Sequence, residues 1–362
     1  MGMKRFLTIA GVVTASAAGW FAAGGDAAIA RSASTAAPVH PRTPVFCYVE
    51  TIFGGATAGD LDFRPCTHVI EAFVTVDASG GIAPQNGLPR RDVITAARKA
   101  GARVMVAIGG STVPGSTFAT IARDPVVRDR FTSALATFVV NAGYDGVDVD
   151  WEFPSPADAD VNLLLVRAIK GALVHASRNT LRTGHLPPAP PIVTVPIAAY
   201  WIPSYNLAAL QDDVDAVILM GYDFRNPALG PWANDAKLWP VNASTPIEGS
   251  VRGAAAEMIR NGLGFDKLII ALPFYSSANQ PWVDIRTRAL VSPAPLHPLF
   301  FEKQSDDVWI TDPEALERKI TAALAGYQIA GGNAAGIAIW QLGHQGGFHD
   351  LTDALLRATV RP

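Results

Sequence analysis

The 362-residue chain has no excess of charge of either sign. Lys and Arg number 29, Asp and Glu 32, and the formal net charge is −3. That excludes the basic footprint of a nucleic-acid-binding protein, and no charged run is long enough to read as a tail. Cysteine is scarce, at two residues, Cys47 and Cys66. Two thiols fall short of the ligands of a structural zinc site, and no His pair stands at metal spacing with them. No metal or cofactor is expected. Beyond the N-terminus no apolar run is long enough to cross a membrane. There is no solenoid-type repeat and no internal Ser/Gly linker, so one domain is expected. With 49% hydrophobic residues, a large core is available.

The N-terminus has its own pattern. Lys4 and Arg5 precede an apolar stretch, Phe6 to Ala23, and Ala28-Ile29-Ala30 supplies small residues for cleavage. Residues 1–30 are read as a signal peptide, with a retained membrane anchor as the alternative. Residues 31–44, "RSASTAAPVHPRTP", are read as a disordered lead-in. The mature chain, starting near Arg31 with its folded domain at 45–362, is expected to be secreted, monomeric and without stable membrane association. In an exported protein the two cysteines are a disulfide candidate; two unrelated thiols are the other reading.

Short apolar runs then alternate with helical patterns. Strands are predicted at 45–50, 68–76, 103–110, 144–153, 191–199, 214–224, 267–276 and 334–343. Helices are predicted at 88–101, 124–143, 155–177, 203–212, 247–262, 312–327 and 349–358. The 124–143 helix has Asp124 as N-cap, Pro125 in its first turn and Gly143 as its stop. Eight such units predict a closed (β/α)8 barrel in one domain; an open doubly wound sheet is the alternative.

What stands out against this background is "GYDGVDVDWEFP", 143–154. Side chains alternate on a strand. Asp148, Asp150 and Glu152 therefore share one face, and Val147, Val149 and Trp151 the other. The apolar set suits the helix side, so the acids point into the lumen. Asp145 is off this row and is expected to tie down the preceding turn. Burial and mutual repulsion disfavour full ionisation of three such carboxylates, and Glu152, nearest the C-terminal mouth, is the natural proton donor. A solvated polar strand and a carboxylate metal site are the competing readings.

"DGVDVDWE" resembles the Asp-Gly-x-Asp-x-Asp-x-Glu signature of glycoside hydrolase family 18, the chitinase family. "CYVE", "CTHVIEAF", "AIGG", "MGYD", "KLIIALPFYS" and "GIAIWQLG" resemble its other strands in order, over about 45–360. The resemblance implies a retaining, substrate-assisted hydrolysis of N-acetylglucosamine polymers such as chitin, in which the sugar's own 2-acetamido oxygen attacks the anomeric carbon. It assigns Glu152 as general acid/base and Asp150 as the group that orients the acetamide. Asp148 would tune Asp150 from below, and Tyr222 would hold the acetamide oxygen. Met220 and Asp223 would line the subsite, with Trp340 as its floor and Tyr48 and Phe73 near its base. The resemblance also implies a Cys47–Cys66 bridge, since part of the family carries a bridge between these two strands. The family also holds endo-β-N-acetylglucosaminidases, peptidoglycan-directed hydrolases and chitin-binding lectins, which stay open as alternatives.

Some positions depart from the family pattern. Ala107 replaces a Ser. Ser111 stands where many chitinases have a sugar-stacking Trp, which predicts a weak glycone-side subsite. Glu71, by parity with Phe73, is expected to add an acid to the lumen. Residues 277–333 leave little room for an α+β insertion between the seventh and eighth barrel strands, so an open groove is expected. Trp201, Trp232, Trp239, Trp282 and Trp309 are candidate stacking platforms in loops. His344 and His349, in "GHQGGFH", are expected in a surface loop.

Overall fold

The computed structural model describes residues 42–181, 189–224, 250–288, 294–295, 303–305, 308–326 and 329–360. The signal-peptide reading, most of the lead-in, Trp232 and Trp239 lie outside them. In chain order the elements are β1 (Val45–Val49), β2 (His68–Val76), β3 (Ile82–Pro84), α1 (Arg91–Lys99), β4 (Arg103–Gly109), α2 (Gly115–Arg123), α3 (Pro125–Ala142) and β5 (Gly146–Asp150). They continue with α4 (Ala159–Leu181), β6 (Ile192–Ala198), α5 (Leu207–Leu210), β7 (Ala216–Met220), α6 (Val251–Arg260) and β8 (Leu268–Pro273). The last are α7 (Trp282–Thr287), β9 (Lys303–Ser305), β10 (Val308–Ile310), α8 (Pro313–Thr321), β11 (Gly336–Trp340) and α9 (Asp350–Thr359).

Eight parallel strands run in the order β1, β2, β4, β5, β6, β7, β8, β11, and β11 pairs back onto β1. The sheet is therefore closed, a (β/α)8 barrel. β3 adds to β2 as an antiparallel hairpin, and β9 and β10 form a separate two-stranded ribbon. Between β8 and β11 the described residues hold α7, that ribbon and α8, a small excursion rather than an added domain.

The local rules that predict α3 are met in detail. Asp124 accepts from Val126 N and Val127 N at 2.8 and 3.1 Å, and Gly143 ends the helix at φ +79°. The predicted 203–212 helix is instead a 3-10 turn, Ala199–Ser204, followed by the short α5. Helix α2 is absent from the sequence reading. Its Gly and Thr content is a weak helix signal, and it forms because Phe118 and Ile121 bury completely against the barrel.

Apolar residues fill both sides of the sheet. Val147, Val149 and Trp151 pack outward beneath the helices, Trp151 with its ring 5.5 Å from that of Phe118. Inside, Phe46, Ile70, Met105, Ile218 and Ile269 close the lower lumen. Cys47 and Cys66 form a disulfide, joining β1 to the segment that enters β2.

Glu71 is not in the lumen. The β2–β4 register shifts between Glu71 and Val74, so residues on either side of the shift no longer obey one alternation. Phe73 lies on the lumen side with Ala72, and Glu71 points outward, fully buried. There it accepts from Arg90 Nε at 2.9 Å and Tyr144 Oη at 2.6 Å. Arg90 also donates to the carbonyls of Val49 and Glu50 at the end of β1.

Candidate active site

With its lower half packed, the barrel opens at the C-terminal ends of its strands into a cavity of about 600 Å³. Its wall includes Tyr48, Asp150, Glu152, Met220, Tyr222, Asp223 and Trp340. Seven residues singled out in the sequence thus meet in one place, contributed by β1, β5, β7 and β11. Asp148 lies directly beneath, fully buried. Phe73 does not line the cavity; it packs behind Trp340, ring centroids 5.8 Å apart.

Strand β5 ends at Asp150, so Glu152 stands just past the regular strand, half-buried at the mouth. The backbone there is held close by the end of β4. Gly110 N donates to Asp150 O at 2.9 Å. A Cβ on Gly109, at φ +108°, would lie 2.0 Å from that same carbonyl, so only glycine fits. Asp145, off the row, accepts from Val104 N at 2.8 Å and fixes the strand's entry.

The three acids differ in their surroundings. Burial raises the Asp148 carboxyl to about 6, against hydrogen bonds that favour its charged form. Those come from Thr194 Oγ1 and, at 2.9 Å, from Tyr48 Oη. Asp150 is pushed well above the usual carboxylate range by burial, then by the charges of Glu152 and Asp148. Its Oδ1 is buried with no hydrogen-bond partner among the described residues. Glu152 is raised to about 7 by burial and then by the charge of Asp223. A row of this kind holds protons near neutrality. Asp223 itself accepts from Tyr275 Oη at 2.9 Å. Among the described residues no group of three His, Cys, Asp or Glu is placed to hold a metal ion.

Two aromatic pairs stand at the site. Trp340 lies 5.4 Å from Tyr48, and Tyr222 lies 6.1 Å from Tyr275. Of the loop tryptophans, Trp201 lines the cavity together with Tyr200 and Phe153. Trp282 is buried and donates to Asp350, and Trp309 sits in the β9–β10 ribbon. The sequence offered no means of ranking these. His344 is not a surface residue as expected. It is largely buried between Phe53 and Tyr275, centroids 5.2 and 5.7 Å away, and burial pushes its imidazole down to about 4. His349 is exposed.

A closed barrel with acidic side chains gathered at the C-terminal mouth has the layout of a barrel enzyme. The family follows from comparison. The glycosyl hydrolases family 18 model matches residues 45–344, and the chain belongs to that family. An endochitinase of Brugia malayi is 28% identical over 241 residues, 60% of this chain and 45% of that protein. A probable endochitinase of Caenorhabditis elegans is 25% identical over 76% of this chain and 49% of its own length. The chain thus spans about half the length of these curated relatives. A class V chitinase from Nicotiana tobaccum, solved in complex with NAG4, superposes with a TM-score of 0.72 at 19% identity, covering 88% of this chain and 99% of that one. At that identity the likeness speaks for the fold.

Proposed function

We propose that the protein is a secreted glycoside hydrolase that cleaves β-1,4-linked N-acetylglucosamine polymers, chitin and its oligomers, with retention at the anomeric carbon. The observation that carries this is the acid row, which ends in a protonatable Glu152 at the mouth and has an unpartnered, buried Asp150 oxygen within the cavity wall. Asp148, Asp150 and Glu152 come from one strand and its end, and the further acid in the wall, Asp223, is engaged by Tyr275 Oη and lies close to Glu152, so in this reading no carboxylate serves as the enzymic nucleophile. The substrate's acetamide supplies it.

In this reading the sugar at the cleavage point rests on Trp340. Asp150 Oδ1 accepts the acetamide N–H, and Tyr222 donates to the acetamide oxygen. That oxygen attacks the anomeric carbon. The bond to the leaving sugar breaks, and its oxygen takes the proton of Glu152. Water then adds to the same carbon as the bond from that carbon to the acetamide oxygen breaks, which regenerates the acetamide, and the water's proton passes to the Glu152 carboxylate, which restores the acid. Asp148, held by Tyr48 and Thr194, is the easier of the lower pair to ionise. The proton the pair shares therefore rests on Asp150, which still accepts through its free oxygen.

Residues 1–30 would direct export, 31–44 would lead into the catalytic domain at 45–362, and the disulfide suits an oxidising compartment. The test is a pair of substitutions. Glu152→Gln removes the transferable proton and should cost about 10²–10⁴ in turnover on a tetramer. An aryl leaving group needs little protonation, so it should rescue Glu152→Gln substantially and Asp150→Asn much less. Equal rescue of both would mean the roles are misassigned. Full activity of Glu152→Gln on chitin oligomers would sink the reading of this strand as the hydrolytic acid row.

A further inference from the structure

The cavity has a second aromatic wall that the acid row does not use. Trp201, on the 3-10 turn after β6, lies flat on Phe153, centroids 3.9 Å apart and planes 17° apart. Phe153 covers one face of the indole. Trp201 is nevertheless 37% exposed, and its neighbour Tyr200, edge-on at 6.3 Å, is 39% exposed. Both are among the few large apolar residues left exposed among the described residues, and both line the cavity that holds Glu152.

Their place follows from the strand order. In a closed ring of eight, strands four apart face one another across the lumen. β11, which carries Trp340, is four strands from β5, which carries Glu152 and Phe153, and Trp201 follows the adjacent β6. The two indoles therefore stand on opposite sides of the opening, with Glu152 on the Trp201 side. If Trp340 floors the sugar that is attacked, a substrate chain crossing the acid arrives at Trp201 with its leaving group.

Resting on the hydrolase reading above, we propose that Trp201, backed by Phe153 and flanked by Tyr200, is the stacking platform for the first sugar of the leaving group. The flat apolar face of a pyranose is what a partly exposed indole in a cavity wall would take. Ser111 lines the same cavity from the end of β4, next to β5. Position 111 therefore belongs to the leaving-group half, not to the glycone half expected from sequence. The ring absent there is replaced by one from the β6 turn.

The experiment compares two substrates in Trp201→Ala and Trp201→Phe. One is the N-acetylglucosamine tetramer. The other is the β-fluoride of the disaccharide, whose leaving group is a single atom and cannot reach a platform. For Trp201→Ala, kcat/KM should fall about tenfold more on the tetramer than on the fluoride, and Trp201→Phe should recover most of the difference. Equal losses on both substrates would mean that Trp201 only shapes the loop, and no loss on either would equally overturn the platform. Tetramer binding to Glu152→Gln, measured calorimetrically with and without Trp201→Ala, separates the two readings. If the unmodified protein cleaves neither substrate, the hydrolase reading fails, and the platform then stands or falls on whether Trp201→Ala weakens that binding.

Discussion

If Glu152 is the general acid, it acts only while protonated, so kcat/KM should decline as pH rises through the carboxyl's titration near 7. Two causes lift it there from 4.5, burial first and the charge of Asp223 second. The whole rise corresponds to about 3 kcal/mol. Asp223, the lesser cause, accounts for less than half, below about 1.5 kcal/mol. Asp223→Asn removes that charge and leaves burial in place. The acid then loses its proton at lower pH, and the alkaline limb of kcat/KM should move down by up to about one pH unit. The assay is initial-rate hydrolysis of the tetramer from pH 4 to 9, with the limb read from its position rather than its height. A weakened hydrogen bond to Tyr275 would lower the plateau without moving the limb. An unmoved limb, or one displaced to higher pH, would refute the argument that Asp223 sets the acidity of Glu152.

Two further expectations concern stability. Replacing Cys47 and Cys66 by Ala opens a 19-residue loop and should cost about 3 kcal/mol on the chain-entropy model, seen as a lower Tm by calorimetry; an unchanged Tm would contradict it. Arg90→Ala leaves Glu71 buried with only Tyr144 as partner and should cost about 3 kcal/mol at pH 7. Burial already raises the Glu71 carboxyl, and losing Arg90 raises it further. Protonation relieves an unpaired buried carboxylate, so the Tm deficit should shrink between pH 7 and pH 5; a deficit that grew on acidification would reverse the assignment.

Most of the barrel was legible because its signals are local. Asp124 and Pro125 mark the start of α3 and Gly143 its end, each next to the terminus it signals, and the two-residue period of β5 sorts its acids from its valines. Parity failed at Glu71 because the register shift before Val74 is a property of the β2–β4 pairing, which no window on β2 contains. His344 was misplaced for a similar reason. "GHQGGFH" reads as a polar, glycine-rich loop, yet Phe53 and Tyr275, far away in sequence, enclose it. Nothing in the sequence distinguishes Trp201 from Trp282 or Trp309. What separates them is the partner each ring finds, Phe153 beside the acid row for Trp201 and Asp350 at the start of α9 for Trp282.

The density of acids in "GVDVDWE" has a structural consequence as well as a chemical one. A slip of one residue would turn Asp148 and Asp150 against the helices and the two valines and Trp151 toward the lumen. Neither side tolerates the exchange. The outer face has Phe118 stacked on Trp151, and the inner has hydroxyls of Tyr48 and Thr194 aimed at Asp148. The alternation that places the carboxylates in the cavity is therefore also what fixes the register of β5. An apolar replacement of Asp148 would leave those two hydroxyls without their shared acceptor, so the buried acid that never touches the cavity is held in place by its neighbours as firmly as it holds them.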